Sequence, residues 1–108
     1  MSGSGSNGFG GGFEGGDFSC ENLVINTTIA SPQPAVVSVL KVNDILQVDL
    51  QTVGTTTAVV VKHQGQVAGA VASPDVQRLR RCIEAGTRYE AKVTAINGAH
   101  ISIRIAAV

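Results

Sequence analysis

Residues 55–105 read TTTAVVVKHQGQVAGAVASPDVQRLRRCIEAGTRYEAKVTAINGAHISIRI, and this stretch decides the fold. Ala58 to His63 is apolar enough to be a strand buried on both faces. Gln64-Gly65-Gln66 can turn the chain, and Val67 to Val71 returns with Gly69 inside it, which predicts a bulge or a close backbone approach. Ser73 is a good N-cap, Pro74 suits the first helical position, and Asp75 complements the positive end of the helix dipole. Val76, Leu79 and Ile83 then recur at helical spacing with Cys82 beside them, and Gly86 can take the left-handed conformation that ends a helix. Tyr89, Ala91, Val93 and Ala95 alternate with polar residues, as do Ile101, Ile103 and Ile105, and Asn97-Gly98 between them is a strong hairpin signal.

Upstream, the same period of two continues. Leu23, Ile25, Thr27 and Ile29 alternate with Val24, Asn26 and Thr28 until Ser31-Pro32-Gln33-Pro34 removes two backbone donors and stops the ladder. Val36, Val37, Val39 and Leu40 form a short apolar run that can add a brief strand, and Asn43-Asp44 marks a turn. Leu46, Val48 and Leu50 then face one way while Gln47, Asp49 and Gln51 face the other, until Gly54 breaks the pattern. The expected fold is mostly β (α+β). About six strands and one helix near residues 74–85 form a small curved sheet or a partly open barrel of OB or SH3 type.

The chain of 108 residues holds one small domain, over residues 20–108, after a different regime in residues 1–19. Eight of the thirteen glycines fall within residues 1–16, a density that predicts a disordered tail. Phe9, Phe13 and Phe18, all the phenylalanines of the chain, lie in this tail beside glycines or acids, so it reads as a docking segment for a partner's apolar groove or as a solubilising tail. The letters Gly3-Ser4-Gly5-Ser6-Asn7-Gly8 spell a dinucleotide fingerprint, but no strand precedes them and no helix follows.

No run approaches the roughly twenty apolar residues of a membrane span, and the N-terminus lacks a basic and apolar leader. The expected setting is cytoplasmic, where Cys20 and Cys82 are thiols and Cys82 is a small core residue. A Cys20–Cys82 disulfide stays open as the alternative, since it needs Cα atoms within about 7 Å. The halves of the chain carry opposite charge. Residues 1–54 hold Lys41 against Glu14, Asp17, Glu21, Asp44 and Asp49; residues 55–108 hold Lys62, Arg78, Arg80, Arg81, Arg88, Lys92 and Arg104 against Asp75, Glu84 and Glu90. This split indicates either an anionic partner or two complementary faces within one fold.

His63 and His100 stand in no metal-binding or nucleophile-activating pattern, so neither catalysis, a cofactor, a metal nor a small-molecule substrate is expected. Two readings of different class remain. One is a protein-interaction or self-assembly module that makes contact through the Phe-bearing tail or an exposed sheet edge. The other is a single-stranded nucleic-acid module using the face of Arg78, Arg81, Arg88, Lys92 and Arg104.

The run Ala58-Val59-Val60-Val61, Gly65-Gln66-Val67-Ala68-Gly69-Ala70-Val71, Leu79-Arg80, Ile83-Glu84-Ala85-Gly86 and Tyr89-Glu90-Ala91-Lys92-Val93 resembles the HIRAN domain over residues 46–105. The resemblance implies an OB-like barrel that binds single-stranded DNA ends. Against that implication, Thr55-Thr56-Thr57 replaces the polar and acidic residues usual before the first core strand. The one aromatic side chain of residues 46–105 is Tyr89, which the alternation puts on the buried face.

Overall fold

A computed structural model of the chain describes residues 19–108. After a short 3-10 turn (Cys20–Asn22), the elements are β1 (Val24–Ala30), a one-turn helix α1 (Pro34–Val37), β2 (Ile45–Val53), β3 (Thr56–His63), β4 (Gln66–Val71), α2 (Val76–Glu84), β5 (Tyr89–Asn97) and β6 (His100–Ala107). The six antiparallel strands form one sheet that closes in a ring in the order β1-β4-β3-β2-β5-β6. Mostly β with one main helix is thus the observed class.

The ring is uneven. β2 and β3 pair along seven positions and β5 and β6 along eight, but β1 meets β4 only at Ile29↔Val71 and Ala30↔Ala70, and β2 meets β5 only from Ile45↔Lys92 to Gln47↔Glu90. The long pairs are hairpins, closed by two-residue turns that cost little chain entropy. The short seams are where distant parts of the chain come together, and the sheet there is less regular than a true barrel.

The interior is aliphatic. Leu46, Val61, Leu79, Ala91, Val93 and Ile105 have no exposed surface, and Val59, Ile101 and Ile103 have almost none. The alternation read from the sequence sends these residues inward, and among the described residues no polar or charged side chain is buried. Val60 is 4% exposed yet stands apart from the main core cluster, as expected of a strand covered on both faces.

The hairpins follow their glycines, with one displacement. Positive φ at both Gln64 and Gly65 is the type I′ pattern, whereas Gly54 alone is positive in the β2–β3 turn, as in type II′. At Asn97-Gly98 the strand continues through Asn97, which pairs with His100. The turn is therefore Gly98-Ala99, one residue later than the dipeptide signal suggests.

Gly69 fulfils both expectations at once. The β3–β4 register slips between Val61↔Gly69 and Lys62↔Val67, leaving Ala68 as a bulge. A Cβ at Gly69 would run into Ile29 Cγ2 and come within 2.7 Å of the Ala30 carbonyl oxygen. The bulge carbonyl of Ala68 accepts the Gln33 N–H at 2.8 Å, which tethers the segment after β1 to β4.

Three expectations need correction. The apolar run near Val36 is not a strand: Pro34 starts a single helical turn that puts Val36 in the core, and Leu40 is buried just after it. The helix near residues 74–85 starts at Val76, because Pro74-Asp75 form a turn in which Ser73 Oγ accepts the Asp75 N–H at 3.2 Å. It ends in a Schellman motif, with Thr87 N–H to the Cys82 carbonyl, Gly86 N–H to the Ile83 carbonyl, and Gly86 at φ 106°. Finally, the cysteines are not thiols. α2 packs so that Cys82 faces the turn before β1, the two Cα atoms are 5.6 Å apart, and Cys20 and Cys82 form a disulfide across 62 residues of sequence.

No helix among the described residues is long and apolar enough to cross a membrane.

Candidate functional site

The seam between β2 and β5 opens into a cleft. Past Gln47↔Glu90 the two strands part: β5 begins at Tyr89, while β2 runs on to Val53 with β3 as its only neighbour among the described residues. The space between is a cleft of about 390 Å³, floored by Val48, Ile83 and Tyr89 and rimmed by Gln47, Asp49, Gly86, Thr87, Arg88, Glu90 and Val108.

The two-residue turn at Gly54-Thr55 sets which backbone groups face this side. Val53 and Thr56 flank it as a hydrogen-bonded pair, so the odd-numbered residues of β2 bond to β3 and Leu50 and Thr52 point away. Leu50 shows it directly, since its N–H donates to the carboxylate of the preceding residue, Asp49 Oδ1, at 2.8 Å. The other oxygen of Asp49 accepts from Lys62 Nζ at 3.1 Å. The Leu50 amide first, and the Lys62 ammonium second, hold the Asp49 carboxyl below its usual range. Asp49 thereby covers one donor of the open edge, and Thr52 keeps its outward backbone groups. Residues 51–56 are exposed on both faces, and Val53 is 67% exposed.

The side facing the cleft has a definite polarity. Val48 and Leu50 are half-buried on the inner face beside the core, whereas Gln47, Asp49 and Gln51 line the outer face. An added strand would therefore meet apolar side chains on one of its faces and polar ones on the other.

The predicted cation face draws on three elements. Lys92 and Arg104 stand directly opposite each other on β5 and β6, both exposed. Arg88 lies on the same face of the chain entering β5, about 13 Å along at strand rise, and Glu90 stands between it and Lys92. Arg78 and Arg81 are exposed on α2, which packs against β2 and β3 instead. Among the five positions, Lys92 and Arg104 are the pair that the strand register sets directly opposite each other. Tyr89 is 3% exposed, and its hydroxyl donates to the Cys20 carbonyl, so it offers no face to a base. Burial, and then the Glu21 carboxylate, raise its phenol above the usual range.

Phe9, Phe13 and Phe18 lie outside the described residues. His63 Nε2 stands 3.9 Å from Asp44 Oδ2, and Asp44 also accepts the Lys41 N–H at 2.9 Å, which makes it a turn-stabilising group. The sequence reading named Arg88 as part of a cation face and Val48 and Leu50 as inward residues of a half-buried strand, but it did not bring the cleft residues together or single out the edge at Leu50 and Thr52. The alternation of β2 was visible, but whether a strand has a neighbour on its second side depends on pairing with a segment some forty residues away.

Comparison with protein-family models, with curated proteins and with solved structures returned no match for the chain.

Proposed function

We propose that the chain is a non-enzymatic protein-interaction module that binds an extended polypeptide segment by strand addition at the open edge of β2. The observation that carries this reading is the early parting of β2 from β5, which leaves Leu50 and Thr52 with outward backbone groups beside a cleft floored by apolar side chains. Main-chain hydrogen bonds would supply affinity, and alternate side chains seated over Val48, Leu50 and Ile83 would supply selectivity. The preferred ligand is a short segment with apolar residues at every second position and polar residues between them. The Cys20–Cys82 cross-link supports work in an oxidising compartment in preference to the expected cytoplasmic one.

Selection from a displayed library of random nine-residue peptides tests this. Enrichment of alternating apolar and polar sequences is the expected result, and recovery of none contradicts it. Single-stranded oligonucleotides at low salt are the counter-test. They are expected not to bind, and binding that weakens steeply as salt rises would favour the DNA-end reading implied by the HIRAN resemblance.

A further inference from the structure

We infer that the open edge of β2 takes a second copy of the chain, the two β2 strands pairing antiparallel about a two-fold axis at Gln51. The inference rests on the strand-addition reading of that edge and names a partner for it.

The undefended state of the edge is the first reason. Proteins that keep an exposed edge strand to themselves commonly place a charge, a proline or a bulge on it. Residues 50–57 read LQTVGTTT, with no charged residue and no proline, and β2 keeps its register with β3 from Gln47 to Val53 without a slip. Asp49 alone guards this edge, and it occupies only the N–H of Leu50. The outward carbonyl of Leu50 and both outward groups of Thr52 are left to an incoming strand.

Self-complementarity is the second reason. Antiparallel strands related by a two-fold axis meet the same residues in reverse order, so with Gln51 on the axis Leu50 stands opposite Thr52 of the second copy, and Thr52 opposite its Leu50. Each Thr52 N–H then donates to a free Leu50 carbonyl, which gives two bonds at once. The reciprocal two form in competition with Asp49, so the guard weakens the pairing without preventing it. The pattern of the strand also matches what the edge selects. Val48 and Leu50 supply the apolar side, and Asp49 and Gln51 the polar one.

Charge is the third reason. In this register Asp49 lies opposite Val53 of the second copy, and the two Asp49 carboxylates stand four residues apart along the ladder, about 13 Å at strand rise. Each keeps its own Lys62 at 3.1 Å. The chain has a formal net charge of zero, so no long-range repulsion holds two copies apart. Pairing of one edge with itself closes at two chains, and a selected peptide competes for the same backbone groups.

Gln51→Cys tests the inference in the full chain. The native cysteines are joined to each other, so the variant carries one free thiol. On the axis its Cα lies about 4.5 Å from its copy, within disulfide reach. Cross-linking under mild oxidation, read on a non-reducing gel, should run on the order of tenfold faster than in Lys92→Cys, an exposed position paired on both sides within the sheet, because pairing raises the local thiol concentration. Light scattering of the parent should rise from the mass of one chain to that of two as concentration increases, and Thr52→Pro should stay at one. Equal cross-linking rates in the two cysteine variants, or a parent that keeps the mass of one chain up to millimolar concentration, would overturn the inference. A library-selected peptide separates it from the reading beneath it. Bound by a parent that stays at one chain and lost in Thr52→Pro, the peptide upholds strand addition and overturns only the second copy as partner.

Discussion

Two residues carry roles that their neighbours cannot take over. Gly69 lies where β4 passes the end of β1, and replacing it with Ala puts a methyl against Ile29 Cγ2 and 2.7 Å from a backbone oxygen that cannot rotate away. We expect Gly69→Ala to lower stability by about 1–3 kcal/mol in urea denaturation, the usual cost of overpacking. Tyr89 joins the core to the Cys20 carbonyl. Its folded phenol titrates above its ordinary value of 10.0, so the folded state favours the neutral form. The stability that follows is complete below pH 10 and is lost as pH rises through the raised value. Tyr89→Phe should remove this alkaline component from the pH–stability profile and cost about 1 kcal/mol at neutral pH. Gly69 was legible in the sequence because a glycine within a strand has few other reasons to be there. The partner of Tyr89 was not, because it lies 69 residues away.

At the scale of elements, local chemistry explains the helix ends and the hairpins, and non-local pairing explains the edge. Gly54, Gly65, Gly86 and Gly98 all adopt positive φ at turns or at the helix end, where the sequence placed breaks. The displaced β5–β6 turn shows the limit of the dipeptide signal. A second slip, between Val93 and Ala95, shifts the pairing of that hairpin, and the register of the whole ladder outweighs the preference of Asn97 for a central turn position. Proline at position 34 was equally visible, but it can stop a strand or start a helix, and only the packing of Val36 and Leu40 decides which.

The β2 edge carries its own guard. Asp49 occupies the outward N–H of Leu50, and its lowered pKa means that the contact persists above the ordinary carboxylate value of 3.8 and is lost as pH falls through the depressed one. Asp49→Ala should therefore expose a further donor and either tighten peptide binding or increase self-association at neutral pH, as measured by titration and by light scattering. Unchanged values for both would show that the Leu50 amide is not part of the binding edge.

For the whole molecule, the disulfide is a covalent long-range restraint. It closes a loop of 62 residues of sequence separation, for which the chain-entropy relation gives about 4 kcal/mol. Chemical denaturation with and without reductant should show a loss of about 2–4 kcal/mol. A smaller change would mean that β1 and α2 are held by packing alone. The opposed charges of the two halves have a similar whole-molecule explanation. Asp49 with Lys62 and Asp44 with His63 bring acidic residues of the first half against basic or titratable residues of the second. This supports an internal cause for part of the asymmetry, and it leaves Lys92 and Arg104 as the close pair that an anionic partner would have to use.

The six strands, the main helix and most of the core follow from periods of two and 3.6 that any short window displays. The ring closure, the disulfide and the cleft do not, since each depends on which distant segments become neighbours. That is why the sequence could offer an exposed sheet edge as a contact surface without locating it on β2.

The most direct measurement is the affinity of a library-selected peptide for the parent chain and for Thr52→Pro. Proline at an edge position removes one outward N–H and leaves the β3 ladder intact, so the melting temperature should change little. Strand addition predicts at least a tenfold loss of affinity, about 1.4 kcal/mol, in the variant. Equal affinity in two equally folded proteins would contradict it.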